Sequence, residues 1–466
     1  MGRELAEIYL SLPEVQVSEF LWTMGIWAES PMSKQIAKTH PGLRQEFIKV
    51  LPDLREKDIV GSPYAVYEYI PSPEICDSWD DLKEFHETLE SGGKKLILDF
   101  VPNHMAVDSP WIERCPRAFL NRDDNYDHPS QEDLDKNHFL HPSGSVFAHG
   151  RDPYFDGWTD TIQFDFSHSE TLDLHREFID KISDYCDGIR CDMAMLPLSE
   201  VFERTHNKKG LPFYWEEMIL ITKKKNPNFI FIAEVYWNLE TRLQTFGFDY
   251  TYDKDLYDHL KNQNSAAIRY HLRSNPLYLE KSLHFLENHD EPRSNSTFFR
   301  EGIVYFALLN FLPGATLIHD GQKEGFRKKI PVQLGRSPKE EVDDTVRSSY
   351  LRIFSQLEKR DSASIVYFDL DTTIYDSTAD NSIFARATKW DNQNLEILIF
   401  NPMNHKISGR IHLTDNQLEI FGDKPAYRFK DILTDRTYSQ NRNEVKKYGL
   451  YFSLEPFRGH WIVPDS

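Results

Sequence analysis

Short apolar runs, each closing on polar residues, recur along the chain. They are EFLWTMGIW (Glu19–Trp27), KKLILDF (Lys94–Phe100), DGIRCD (Asp187–Asp192), FIFIAE (Phe229–Glu234) and LHFLENHD (Leu283–Asp290). Apolar runs of this length with polar ends read as buried strands. Between them, Asp80–Leu89 and Thr171–Tyr185 place apolar residues at helical spacing. Strands that alternate with helices predict a parallel sheet. Four of the five runs set a carboxylate or an imidazole at the C-terminal end: Asp99, Asp192, Glu234, His289 and Asp290. In a (β/α)8 barrel those ends converge on one pocket. An open doubly wound sheet would bring a glycine-rich phosphate loop after its first strand. No G-x-G-x-x-G or G-x-x-x-x-G-K-[ST] occurs, and the pattern predicts the barrel.

Spacing refines this organisation. Asp192 and Glu234 lie 42 residues apart, near one βα unit, whereas Asp99 and Asp192 lie 93 apart. The excess falls in Met105–Ser167, rich in Asp, Pro, His and aromatics with little periodicity. It reads as a subdomain inserted after the third strand. From about Ala363 the pattern becomes short alternating runs (IVYFDL, SIFARATKW, LEILIFN, RIHL) between turn signals, as in an antiparallel β domain. The expected division is a barrel over 1–104 and 169–362, an insert over 105–168, and a C-terminal β-sandwich over 363–466. Only eighteen residues precede the Glu19–Trp27 run. No convincing first strand and helix fit there, so either an N-terminal segment is missing from the sequence or the barrel is incomplete, lacking its first strand.

Composition narrows the partners. A chain of 466 residues is long enough for two or three domains. Its net charge of −20 argues against nucleic acid or an anionic membrane as partner. Aromatics make up 13 % of the residues, enough to stack on flat ligand faces as well as to fill a core. Four cysteines (Cys76, Cys115, Cys186, Cys191) show no metal-type or disulfide-type spacing. No signal-type N-terminus and no run of eighteen apolar residues occurs, so a cytoplasmic protein is expected.

Arg190 and Asp192 stand two apart on a strand and therefore point the same way. Charges on a buried face are costly unless paired. The pair is either a structural ion pair or a nucleophile with its electrostatic partner. Three carboxylates at one barrel mouth favour the second. Cleaving a glycosidic bond takes one carboxyl group on each side of the anomeric carbon, a proton donor and a nucleophile or base. Arg190 favours ionised Asp192, and the apolar, aromatic setting of Glu234 favours its protonated form.

Four stretches, in order, resemble the signature regions of glycoside hydrolase family 13, the α-amylase family. They are DFVPNH (Asp99–His104), GIRCDMA (Gly188–Ala194), IAEVYW (Ile232–Trp237) and FLENHD (Phe285–Asp290). SPYAVYEY (Ser62–Tyr69) resembles the stretch before the family's third strand, whose tyrosine stacks on the sugar. The resemblance implies Asp192 as nucleophile, Glu234 as acid/base and Asp290 as transition-state stabiliser. It implies that His104, His289 and Arg190 hold sugar hydroxyls and the charge network, that Tyr69 stacks below the ring, and that Asp99 braces Arg190. Arg293, in NHDEPR, resembles the NHDQPR form of α-glucosidase-like members and is expected at the substrate. No cofactor is expected; Asn103 resembles a calcium ligand of many amylases, which leaves calcium open.

The implied activity is a retaining α-glycosidase acting on α-glucosidic oligosaccharides or α-glucosides. A transglycosidase or sugar phosphorylase would use the same residues with another acceptor. A carbohydrate-binding pseudoenzyme would be expected to lack a catalytic carboxylate, and all three are present. Relatives commonly follow the nucleophile with Lys-His, where this chain has Met195 and Leu196. These two either line the leaving-group side, which would favour short substrates, or pack behind the strand. Tyr154 and Trp158, in DPYFDGWTD, either line the sugar cleft or pack the insert.

Overall fold

The computed structural model describes residues 2–121, 136–361, 364–375, 382–390, 394–422 and 424–465. Residues 122–135, within the predicted insert, lie outside the described residues. The chain divides into two compact units. One comprises Met1–Tyr252 with Ile330–Lys339, the other Asp253–Lys329 with Glu340–Ser466.

The first unit is built on a parallel sheet of strands β1 (Phe20–Thr23), β2 (Lys95–Phe100), β3 (Gly188–Cys191), β4 (Ile230–Ala233) and β5 (Tyr250–Tyr252), which lie side by side in that order. Helices return the chain between strands, which makes this a β/α-barrel architecture. The helix Trp79–Ser91 shows how the sequence specifies them. Ser78 caps its first turn, Asp80 and Asp81 face the positive end of its dipole, and Leu82, Phe85 and Leu89 form the buried stripe. The helix Ser169–Ile182 likewise buries Leu172, His175, Phe178, Ile179 and Ile182.

Gly188 opens β3 where only a glycine fits. A Cβ there would stand 2.5 Å from the Ile230 carbonyl oxygen and 2.8 Å from Ile97 Cδ1. The close approach locks the register of three strands and pairs Asp99 with Arg190, and Arg190 with Ile232. Side chains at paired positions share one face of the sheet. The run expected as one strand over Glu19–Trp27 is two, Phe20–Thr23 and Trp27–Glu29. Gly25, at φ +72°, breaks it, because a strand cannot run through the left-handed region. Between β2 and β3 the chain leaves the parallel sheet for two antiparallel pairs, His104–Ala106 with Thr161–Gln163 and His138–Leu140 with Val146–Ala148.

The second unit holds the parallel pair β6 (Ser282–His284) and β7 (Ala315–Thr316) and a set of antiparallel sheets. One sheet has six strands, in the order Val366–Asp369, Phe384–Lys389, Leu395–Phe400, Gly459–Pro464, Ala426–Asp431 and Arg436–Asn441. Another has three, Thr372–Ile374, Ile407–Ile411 and Leu450–Leu454. Inward residues of both, among them Ile397, Ile399, Ile411, Phe429 and Phe452, form one apolar core. Among the described residues, no helix is long and apolar enough to cross a membrane.

Candidate active site

The charged residues at the ends of β2, β3 and β4 meet on one guanidinium. Arg190, 1 % exposed, donates from Nη1 to Asp192 Oδ1 at 2.8 Å and lies 2.8 Å through Nη2 from Glu234 Oε2. Asp99 Oδ1 stands 3.6 Å from Nη1. The guanidinium is framed by the rings of Trp22, Tyr64 and Tyr252, at 5.3, 5.4 and 5.5 Å, and its Nε donates to the Tyr252 hydroxyl. Aromatic faces stabilise a cation that water cannot reach. Register explains the convergence: Arg190 opposes Asp99, and the next residues up, Asp192 and Glu234, leave adjacent strand ends.

The backbone holds Glu234 in place from both sides. Its N–H donates to the Cys191 carbonyl at 3.0 Å, and its own carbonyl accepts from Ala194 at 2.9 Å. The carboxylate accepts from the Met193 N–H (2.8 Å) and the Tyr236 hydroxyl (2.7 Å). Met193 takes φ +44° to aim that N–H. Strain of this kind in a non-glycine residue persists only where its surroundings impose it, and it concentrates at functional sites.

Three buried carboxyl groups share one cation, so the cluster is short of positive charge. Burial, and next the charge of Glu234, push Asp192 well above the ordinary carboxylate range, against the pull of Arg190. Asp192 thus retains a proton where an isolated carboxyl would lose it, the reverse of the ionised form expected beside Arg190.

His104, in the same unit, is buried, its ring 5.0 Å from that of Trp158. Burial brings it down to about 3, so it is a neutral imidazole at physiological pH. Asn103, the candidate calcium ligand, is paired with Gln163. Its Oδ1 accepts from Gln163 Nε2 at 2.9 Å, and its Nδ2 donates back to Gln163 Oε1 at 3.1 Å. Among the described residues, no group of three His, Cys, Asp or Glu is placed to hold a metal.

Tyr69 departs from the expectation of a sugar-stacking ring. Its ring stacks on Phe178 at 3.8 Å and packs against Trp27 and Trp111, 3 % exposed. Its hydroxyl donates to the Val101 carbonyl and accepts from the Val101 N–H. Both faces and the polar tip are spent in the core. Tyr64, five residues earlier and half-buried, is the tyrosine of this stretch whose ring faces Arg190. Met195 and Leu196 are buried in the core cluster of the unit, so the packing alternative holds for them.

Asp290, His289 and Arg293 stand in the second unit. His289 Nε2 lies 2.9 Å from Asp290 Oδ2, and the Asp290 side chain is about half exposed. Asn288 shapes this loop by accepting from the N–H groups of Asp290 and Glu291, each at 2.9 Å. Arg293, expected at the substrate, is buried and turned inward. Its Nη1 meets Glu287 Oε1 at 2.8 Å, His319 Nδ1 at 3.0 Å and the Asp320 carbonyl, and its Nε donates to the Lys328 carbonyl. Glu287 also accepts from the Ser294 N–H at 2.6 Å. Against the cost of burial, the His319 hydrogen bond and the Arg293 charge hold Glu287 below the usual carboxylate range. Glu287, an acidic residue inside FLENHD directly after apolar Phe285 and Leu286, carries the sequence signal of a buried ion pair and was not among the expected site residues.

Comparison with known proteins agrees with this architecture. No family model matches the chain. The α-amylase MalA of Haloarcula japonica is 26 % identical over 289 residues, which cover 59 % of this chain and 38 % of that protein. The chain thus matches well under half the length of this curated relative. Among solved structures, the maltogenic α-amylase AmyB of Thermotoga neapolitana superposes with a TM-score of 0.65 at 17 % identity, over 100 % of this chain and 95 % of its own. The α-amylase of Geobacillus thermoleovorans, complexed with acarbose, gives 0.63 at 15 %, over 100 % and 92 %. A Nostoc punctiforme debranching enzyme gives 0.59 at 14 %, over 97 % and 98 %. The fold is that of the α-amylases.

Proposed function

We propose that the chain is a retaining α-glycosidase of the α-amylase type, which hydrolyses α-glucosidic bonds in oligosaccharides. The observation that carries this reading is the placement of Asp192 and Glu234 on one buried guanidinium, each at 2.8 Å. The reaction requires two carboxyl groups at one site, one to donate a proton and one to attack carbon. Asp192 attacks the anomeric carbon as the carboxylate while Glu234 delivers a proton to the departing oxygen. The C–O bond to the leaving sugar breaks as the aspartyl ester forms. Glu234, now ionised, takes a proton from water, whose oxygen displaces Asp192 and restores the free enzyme. The Met193 N–H and the Tyr236 hydroxyl position Glu234 through this exchange. Asp290, on its exposed loop, is assigned to the positive charge that develops at the anomeric carbon. The neutral imidazole of His104, the His289 imidazole and the Tyr64 ring are assigned to the sugar bound on the nucleophile's side.

Early-time NMR of maltooligosaccharide cleavage tests the mechanism. The α-anomer is expected first, followed by mutarotation; initial release of the β-anomer would overturn retention. The same spectra identify the acceptor, since a sugar phosphate or a lengthened oligosaccharide would replace free reducing sugar.

A further inference from the structure

The second unit sets a carboxylate and an imidazole, neither used in the proposed reaction, at the ends of two neighbouring strands. Beyond their last paired residues, His284 and Thr316, β6 and β7 each run on for three positions, to Glu287 and His319. The Leu317 N–H donates to the His284 carbonyl at 2.8 Å, which keeps the two chains in step. Glu287 and His319 therefore stand side by side at the C-terminal ends of parallel strands, where a β/α-barrel gathers its ligand-binding groups. His319 Nδ1 lies 3.0 Å from Glu287 Oε1.

The hydrogens on Arg293 settle how the imidazole is protonated. Its Nη1 carries two, and two oxygens take them: Glu287 Oε1 at 2.8 Å and the Asp320 carbonyl. None is left for His319, whose Nδ1 carries its own hydrogen and donates it to Glu287. In the neutral ring the lone pair then sits on Nε2. Glu287 is fully buried while the His319 side chain is 26 % exposed, so the edge that reaches solvent is that of Nε2. Among the described residues, no polar group bonds to this nitrogen. The support is rigid. Gln322 accepts from the His319 N–H at 3.1 Å, donates its own N–H to the His319 carbonyl at 3.0 Å, and is tied through Nε2 to the Tyr350 hydroxyl at 2.8 Å. The second oxygen of Glu287 accepts from the Ser294 N–H, which closes the loop that carries His289 and Asp290. One carboxylate thus orients His319 and anchors the Asp290 loop. Arg293 already neutralises Glu287, so the imidazole is not needed as its counter-ion.

We propose that His319, oriented by Glu287, is a substrate-contacting residue whose Nε2 accepts a hydrogen bond from one hydroxyl of the sugar served by the Asp290 loop, so that this contact selects for sugars that carry the hydroxyl. The proposal rests on the glycosidase reading. A hydroxyl is the complement of an imidazole lone pair held in a fixed direction. A fixed acceptor left without its partner discriminates against a ligand that lacks the group. Arg293 spends its donors inward, and His319 is the member of this cluster that faces out.

The test compares kcat/KM on α-glucosyl fluoride and on its monodeoxy analogues, for the wild type and His319→Ala, with melting curves to verify folding. The wild type is expected to disfavour one analogue about tenfold. His319→Ala should lower kcat/KM on the parent fluoride by about the same factor and leave that analogue unchanged, so that the discrimination vanishes. A purely structural role would slow the parent and every analogue alike. Should His319→Ala fail to fold, His319→Phe, which keeps a ring and removes both nitrogens, carries the test. A wild type indifferent to every analogue, equal losses across the series, or undiminished discrimination in a folded variant would overturn the contact and leave the glycosidase reading standing. Failure of the wild type to cleave α-glucosyl fluoride would overturn both.

Discussion

Asp192 carries two demands that pull against each other. It must be ionised to attack carbon, yet burial and Glu234 make its ionised form unfavourable. Asp192→Asn should therefore separate chemistry from stability. We expect kcat to fall by about three decades or more, measured on a maltooligosaccharide. The same substitution should raise stability by about 1 kcal/mol near pH 8. The sign follows from linkage: a carboxyl whose folded pKa is raised adds nothing unfavourable below its unfolded pKa. Its cost grows as pH rises through the folded value. The gain should thus be largest in alkali and vanish in acid, as melting curves across pH would show. Glu287 has the opposite sign. Its pKa is held low, so its contribution is present above the unfolded carboxylate range and lost as pH falls through the folded value. Arg293→Met, which leaves Glu287 buried without its cation, should destabilise by about 3–5 kcal/mol at neutral pH. Urea unfolding should show the deficit shrinking towards acid.

Strands placed these residues, and strands were what the sequence displayed most openly. Asp99, Arg190, Asp192 and Glu234 interrupt or end apolar runs, and a charge in such a position marks where a buried strand reaches its functional end. Tyr69 was opaque for the same reason that it is well packed. In SPYAVYEY, spacing alone does not tell which tyrosine turns inward, and only the stack on Phe178 decides it. Arg293 was equally illegible, since its partners His319, Asp320 and Lys328 lie 26 to 35 residues away. The break at Gly25 could have been read from the glycine inside EFLWTMGIW. At this scale Gly188 is the exposed dependency. Gly188→Ala must push β3 away from β2 and β4, because the atoms it meets are strand backbone and packed isoleucines. A loss of about 1–3 kcal/mol is expected, and kcat should fall with it, because the strand spacing sets the distances among Arg190, Asp192 and Glu234.

The first unit is completed by a segment remote in sequence. Leu334 and Ile330 close a small core around Ala37, Phe47, Leu51 and Ile59. The Val60 N–H donates to the Gln333 carbonyl and the Gly335 N–H to the Asp58 carbonyl, each at 2.9 Å. Arg336 grips Asp58 through two nitrogens, at 3.0 and 2.7 Å. Leu334→Ala should loosen this clasp by about 2–3 kcal/mol, visible as faster hydrogen exchange at the Val60 and Gly335 amides. The Arg336–Asp58 contact joins residues 278 positions apart. A ribosome delivers Asp58 long before Arg336, and the whole of Asp253–Lys329 emerges in between. The order of synthesis is therefore not the order of assembly. Until its last ten residues arrive, the nascent first unit exposes the apolar seat of Leu334 and is a client for chaperones. The penalty is mainly one of time, since closing a loop of this length costs only about 0.6 kcal/mol more than closing one half as long.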